Sequence, residues 1–119
     1  MNRIVAFTSD LFVRSRIAEI AKQTGAEAAF AEDVGQLTEM VVQKRPQLVI
    51  FDLSTTDYDP FSVATELRTF SSVRLFGLYP HVRTDLKAKA NSAGFEYVVP
   101  NSGFVASLRR VLLEGAEDD

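Results

Sequence analysis

The sequence contains no cysteine, and this absence excludes several kinds of site together. Disulfide bonds, thiolate nucleophiles and zinc–sulfur centres all require cysteine. Histidine occurs once, as His81, so no second histidine is present to complete a catalytic or metal-binding pair.

Long apolar runs and an excess of positive charge are also absent. No apolar stretch approaches the roughly 20 residues of a membrane-spanning helix, and residues 1–5 lead into a strand-like run without the features of a signal peptide. The formal net charge is -3, so the overall field does not attract nucleic acid or anionic membranes. We therefore expect a cytoplasmic protein that binds neither nucleic acid nor membrane.

What remains is the composition of one ordinary globular domain. The chain has 119 residues, of which 46% are hydrophobic and 24% are charged, enough to build a single core. We expect this domain to cover residues 1–113, and we expect residues 114–119 to form an acidic, solvated tail.

Short apolar runs alternate with longer amphipathic stretches along the whole chain. Five strands are predicted, at residues 4–7, 26–30, 48–51, 73–78 and 97–99. Each is followed by a predicted helix, the fourth over residues 82–93 and the fifth with an apolar stripe within residues 104–112. This alternation predicts an α/β fold, a doubly wound five-stranded parallel sheet with helices on both faces.

Several residues mark where the first two helices begin and end. Ser9 or Asp10 is suited to cap the first helix, and Gly25 is suited to end it. Asp33 followed by Gln36 resembles a capping box at the start of the second helix.

In an open α/β sheet, ligands bind outside the carboxyl ends of the strands. Residues at or directly after these ends are therefore the candidates for a functional site, and they are Thr8, Ser9, Asp10, Asp52, Tyr79 and Pro100.

Three local motifs carry a family resemblance. Residues 48–53 form an apolar strand containing Asp52, residues 59–60 are Asp-Pro, and residues 92–99 read Ser-Ala-Gly-Phe-Glu-Tyr-Val-Val. Together with the fivefold alternation, they resemble the receiver domain of bacterial two-component response regulators over nearly the whole chain. The resemblance implies a flavodoxin-like, receiver-type fold and gives Asp52 the position of the phosphoacceptor.

The residues that support phosphoryl transfer in receivers are replaced in this sequence. Thr8 and Ser9 stand where the resemblance implies an acidic pair that holds Mg²⁺, with Asp10 one position later. Tyr79 stands at the position of the Ser or Thr that binds the phosphate, and Pro100 stands at that of the lysine. Because Mg²⁺ requires strong oxygen ligands and neutralises the phosphoryl charge, we expect no efficient transfer.

We therefore expect no cofactor, apart from weak Mg²⁺ binding at Asp52 and Asp10. The alternative for Asp52 is a carboxylate satisfied by loop N–H groups, and the alternative for Asp10 is a helix cap. Asp57 and Asp59 offer either a second cation site or part of a solvated loop.

Tyr97 matches the aromatic residue that moves when a receiver is activated. With Tyr79 at the switch position, we expect the two tyrosines either to be locked in one state or simply to pack as amphipathic rings. The resemblance also implies a partner or dimer surface formed by the fourth helix, the fifth strand and the fifth helix. The candidate basic residues of this surface are Arg83, Lys87, Lys89, Arg109 and Arg110.

These observations predict a pseudo-receiver, which is not an enzyme and acts in bacterial signal transduction as a phosphorylation-independent protein-interaction module. Its partner is expected to be another protein or a second copy of the chain. One alternative is a slow conventional receiver that uses Asp52 as phosphoacceptor. The other is a sensor of a small ligand in the vacated acidic pocket.

Overall fold

The computed structural model describes residues 2–117 as five parallel strands alternating with five helices. The strands are β1 (Arg3–Phe7), β2 (Glu27–Phe30), β3 (Leu48–Asp52), β4 (Arg74–Tyr79) and β5 (Tyr97–Pro100). The helices are α1 (Leu11–Thr24), α2 (Val34–Lys44), α3 (Pro60–Arg68), α4 (Thr84–Ser92) and α5 (Phe104–Glu117), with a 3₁₀ turn at Asn101–Gly103. The sheet order β2-β1-β3-β4-β5 confirms the predicted doubly wound fold.

Aspartate side chains begin three of the helices. Asp10, Asp33 and Asp59 each accept hydrogen bonds from backbone N–H groups in the first turn of α1, α2 and α3 respectively. Gly25 ends α1 in the left-handed conformation, with φ of 74°, which costs glycine no steric strain. The three aspartate caps determine where the chain enters a helix after the carboxyl ends of β1, β2 and β3.

Two apolar layers cover the two faces of the sheet. Alternate strand residues pack against α2, α3 and α4 on one face and against α1 and α5 on the other. In β3, for example, Val49 and Phe51 belong to the first layer, and Leu48 and Ile50 belong to the second. This strand is apolar without interruption because both of its faces are covered.

Two of the predicted helix boundaries differ from the structure. Helix α4 begins at Thr84, two residues later than predicted, because the preceding residues form a turn in which the Arg83 N–H bonds to the Pro80 carbonyl at 2.8 Å. Helix α5 continues to Glu117 through the start of the expected acidic tail, since residues 114–117 contain no proline to interrupt it. The remaining tail residues, Asp118 and Asp119, lie outside the described residues.

No helix within residues 2–117 combines the length and the apolar character needed to cross a membrane.

Candidate functional site

The candidate site lies where β1 and β3 run side by side in the middle of the sheet. The chain winds from β1 outward to β2 and then returns to β3 on the other side of β1, so the strand order reverses here. Phe7 pairs with Phe51 at the carboxyl ends of these two strands. Thr8 and Asp52 come next along each strand, at the point where open α/β sheets bind their ligands.

Asp52 is half-exposed, and its carboxylate is engaged by the loop that follows β3. The Ser54 backbone N–H and the Ser54 hydroxyl both donate to Asp52 Oδ1, at 3.0 Å and 2.7 Å. Within residues 2–117, no Lys or Arg nitrogen lies within 4.0 Å of this carboxylate. The structure thus places Asp52 as a strand-end carboxylate satisfied locally, with a hydroxyl partner that sequence reasoning missed.

The residues after β1 bind to one another and to helix α1. Thr8 is buried, and its Oγ1 accepts a hydrogen bond from the Asp10 N–H at 3.1 Å. Asp10 Oδ1 accepts from the N–H groups of Phe12 and Val13, at 2.9 Å and 3.2 Å, which makes Asp10 the cap of α1. Ser9 is exposed and carries no charge. The carboxylate nearest in sequence to the acidic-pair positions is therefore directed to the amide groups of a helix.

Tyr58 lies across this end of β1, and sequence reasoning did not single it out. Its ring stacks on Phe7 with the centroids 4.2 Å apart, and its hydroxyl donates to the Phe7 carbonyl at 2.9 Å. Burial, and then the negative charges of Asp52 and Asp57, raise the pKa of Tyr58, so the phenol stays protonated as a donor. An aromatic residue in an otherwise polar loop was the signal that could have identified it.

A cavity of about 190 Å³ remains beside Tyr58, between the end of β1 and the start of α2. Glu32, Asp33 and Asp57 contribute to its lining. Glu32 is paired with Arg14 at 2.7 Å, and Asp33 caps α2. The cavity is smaller than the range of about 300–1,000 Å³ typical of small-molecule sites.

The other acidic residues of the β3–α3 loop do not converge on Asp52. Asp59 caps α3, where the Ser62 N–H donates to Oδ1 at 3.3 Å and the Ser62 hydroxyl to Oδ2 at 3.1 Å. These hydrogen bonds, led by that of the Ser62 amide, lower the pKa of Asp59. Asp57 is exposed. Among residues 2–117, no cluster of three or more His, Asp or Glu side chains is placed to hold a metal ion.

Tyr79 and Tyr97 lie on opposite faces of the sheet and do not pack on each other, whereas the expectation that they are locked in one state stays a prediction. Tyr79 ends β4 and is buried in the layer beneath α2, α3 and α4. Tyr97 begins β5, packs on the opposite layer, and accepts a hydrogen bond from Arg74 at 3.0 Å. The reason is register, since Tyr97 pairs with Phe76 and Tyr79 pairs with Pro100, and an offset of three residues reverses the face.

The five basic residues assigned to one surface also point in different directions. Lys89 lies over the Phe61 ring of α3, 5.9 Å from its centroid, and Arg109 donates to Gln23 of α1 at 2.8 Å. Arg83 pairs with Asp85, and its hydrogen bond lowers the pKa of Asp85 to about 2. Side chains two residues apart in an α-helix differ in direction by about 200°. Lys89 therefore lies on the opposite side of α4 from Lys87.

Lys87, Lys89 and Arg110 are exposed and have no ion pair or side-chain hydrogen bond within residues 2–117. Because Lys89 is turned toward α3, Lys87 and Arg110 are the two of these three residues that stay candidates for the predicted basic face.

Comparison with known proteins gives no match to a family model and no match among curated proteins. Solved structures do match over nearly the whole chain. The signal receiver domain of a DNA-binding response regulator from Colwellia psychrerythraea 34H has a TM-score of 0.84 at 13% identity, covering 98% of this chain and 99% of that one. The chemotaxis response regulator CheY4 of Vibrio cholerae has a TM-score of 0.78 at 16% identity, covering 93% and 98%.

The N-terminal domain of the nisin resistance regulator NsrR, described as a lantibiotic response regulator, is similarly close, with a TM-score of 0.80 at 14% identity, covering 94% of this chain and 98% of that one. At this level of identity the likeness concerns the fold. The chain has the flavodoxin-like fold of receiver domains, as the sequence predicted.

Proposed function

We propose that this chain is a receiver-like signalling module that acts through protein contacts and does not depend on phosphorylation of Asp52. The observation that carries the proposal is the state of the Asp52 site. Ser54 engages the carboxylate, and the positions where receivers hold Mg²⁺ and phosphate are occupied by Thr8, Ser9, Tyr79 and Pro100.

The chemistry of phosphoryl transfer supports this proposal. A phosphoryl group moving to a carboxylate carries charge that a divalent cation must neutralise, and Mg²⁺ requires carboxylate or other strong oxygen ligands. The side chains after β1 are a threonine, a serine and a capping aspartate, and Tyr58 stacks over the end of the strand. A phosphate at Asp52 would also lack a lysine counter-charge, because Pro100 ends β5.

A partner surface at β5 is the second part of the proposal. Strand β5 is one of the two edge strands of the sheet, and all four of its residues are half-exposed, Tyr97 and Val99 among them. Lys87 on α4 and Arg110 on α5 are exposed on the two helices that follow β4 and β5. An apolar strip with charged residues around it is the usual composition of a protein–protein interface. Its occupant would be another protein or a second copy of this chain.

One observation favours a second function, that of a slow conventional receiver. Asp52 keeps partial exposure at the carboxyl edge of β3, so a phosphodonor could reach Oδ2 while Ser54 holds Oδ1. This candidate requires Mg²⁺ to bind at Asp52 with fewer carboxylates than the ion prefers.

An amide NMR titration with Mg²⁺, followed by beryllofluoride as a mimic of aspartyl phosphate, separates the two functions. We expect the wild type and Asp52→Asn to respond alike, with no localised shift at residues 52–58 at millimolar Mg²⁺. Localised shifts at Asp52 that spread to Tyr97 and α4, and that Asp52→Asn abolishes, would establish the conventional receiver and overturn the proposal.

The partner surface is tested by a matched pair of variants on one helix. Lys87→Glu changes the charge beside β5, whereas Lys89→Glu makes the same change on the side of α4 that faces α3. If the wild type shows concentration-dependent mass in light scattering, we expect Lys87→Glu to shift the equilibrium and Lys89→Glu to leave it within about twofold. The reverse order of effects would place the contact elsewhere.

A further inference from the structure

A groove of about 740 Å³ lies at the amino edge of the sheet, at the opposite end of the strands from Asp52. The end of α2, the following turn, the α3–β4 loop and the first residue of β4 form its walls. Val42 and Phe70 line it with large apolar side chains that are 57% and 47% exposed. A half-exposed phenylalanine beside an exposed valine is the kind of apolar pair that a partner covers.

The charge of the groove indicates what that partner carries. Arg45 and Arg74 are both among its lining residues, and the lining includes no Asp or Glu. The chain as a whole carries a net charge of -3, so the groove is a basic surface on an acidic protein. Guanidinium groups bind carboxylates in a bidentate manner, and apolar side chains nearby exclude water from the pair.

Arg74 also contributes to the lining, but its guanidinium is turned away from Val42 and Phe70. Its Nη1 donates to the Tyr97 hydroxyl at 3.0 Å, and its guanidinium carbon lies 5.9 Å from the centre of the Tyr97 ring. Tyr97 lies on the face of the sheet covered by α1 and α5, whereas α2 and α3 cover the other face. The guanidinium available to a ligand of the groove is therefore that of Arg45.

Arg45 occupies an unusual backbone conformation for its residue type. Its φ of 46° and ψ of 59° are left-handed, and it is the only non-glycine residue with positive φ among residues 2–117. Glycine is favoured at such a position after a helix, so arginine here lowers stability. Its side chain is exposed and forms no ion pair with the carboxylates of the described residues.

We propose that the groove formed by Val42, Phe70 and Arg45 binds an acidic segment of a partner protein that presents a large apolar side chain. The apolar side chain enters between Val42 and Phe70, and a flanking carboxylate pairs with Arg45. This site is independent of the function proposed for Asp52 and of the surface at β5.

A selection from a phage-displayed library of random twelve-residue peptides, with the folded protein as bait, tests the proposal. We expect the selected peptides to combine Asp or Glu with a large apolar residue. A selected peptide is then synthesised with a fluorescent label, and its binding is titrated by fluorescence anisotropy. A version with Lys in place of the acidic residues serves as the peptide control.

Four variants assign the binding site. We expect Arg45→Gln and Phe70→Ser each to weaken the peptide about tenfold or more, whereas Arg16→Gln, the same change at an exposed arginine on α1, stays within about twofold. Arg45→Gly is the sharpest variant, since it relieves the left-handed strain and should raise stability while it weakens binding. A loss of binding in that variant cannot come from unfolding.

Other outcomes overturn the proposal. These are the selection of peptides without acidic residues, no enrichment at all, or an affinity that Arg45→Gln and Phe70→Ser leave unchanged. A concentration-dependent mass of the unliganded protein that Phe70→Ser abolishes would assign the groove to a second copy of the chain. Amide shifts at Val42 and Phe70 on removal of residues 115–119 would assign it to the chain's own acidic end.

Discussion

Replacement of Tyr58 by phenylalanine removes the single hydroxyl that ties the β3–α3 loop to the end of β1. The ring can still stack on Phe7, at a centroid distance of 4.2 Å, but the hydrogen bond of 2.9 Å to the Phe7 carbonyl is lost. A hydrogen bond of this kind contributes about 0.5–1.5 kcal/mol to stability. We expect Tyr58→Phe to lower the free energy of unfolding by about 1 kcal/mol.

Tyr58→Ala removes the stacking and the burial of the half-buried ring as well. The aromatic pair contributes about 0.5–1.5 kcal/mol, and the buried apolar area of the ring about 1 kcal/mol more. We expect a total loss of about 3 kcal/mol. Urea unfolding followed by circular dichroism measures both variants, and an unchanged m-value shows that the loss is one of stability.

The same hydrogen bond predicts a dependence on alkaline pH. Burial raises the pKa of Tyr58 above the ordinary tyrosine value in the folded state, with a smaller contribution from Asp52 and Asp57. A raised pKa in the folded state gives stability that is fully present below pH 10, the value in the unfolded chain, and that is lost as the pH rises above it. The stability of the wild type should therefore fall more steeply above pH 10 than that of Tyr58→Phe.

Tyr97→Phe, measured in parallel at pH 7, shows what the loss of a hydroxyl costs at another half-exposed tyrosine. If Tyr58→Phe were within about 0.3 kcal/mol of the wild type and fell in parallel with it above pH 10, the loop would not be held by Tyr58. Tyr58 would then not contribute to covering the end of β1 beside Asp52.

Three further predictions concern the fold and the loop around the site. Gly77→Ala should destabilise the protein by about 1–3 kcal/mol in urea unfolding, because the added Cβ would lie 2.8 Å from Leu53 Cδ1 in the buried core. A variant as stable as the wild type would show that the Leu53 side chain can move at no cost in free energy. Asp10→Ala should lower the free energy of unfolding by about 1 kcal/mol, because the cap of α1 is lost. Asp10→Asn should retain most of the stability, and equal losses in both variants would contradict a capping role. Asp59 has a lowered pKa in the folded state, so its contribution to stability is present above pH 3.8, the unfolded value, and is lost as the pH falls through the folded value. Asp59→Asn should therefore show a shallower loss of stability below pH 3.8 than the wild type, and parallel curves would count against the cap.

The sequence was sufficient to predict the elements and the sheet, because these depend on local patterns. Uninterrupted apolar runs such as residues 48–51 identify strands buried on both faces, and strict alternation of strand and helix permits few topologies. The capping residues were also predictable, since Asp10 and Gly25 act through hydrogen bonds and backbone freedom within their own turn. That Thr8, Ser9 and Pro100 replace the acidic and lysine positions of receivers is what the resemblance implies, and it stays a prediction.

Tertiary structure decided which of these residues meet. Tyr79 and Tyr97 are separated because the register between β4 and β5 puts them on opposite faces, and register depends on pairing between strands. The predicted basic residues do not share one surface, because Lys89 packs over Phe61 of α3 and Arg109 donates a hydrogen bond to Gln23 of α1. Tyr58 is 51 residues from Phe7 in sequence, so no local pattern could show that its ring would stack there. The sequence determines the scaffold by periodicity, whereas long-range contacts formed only on folding determine which side chains share a site.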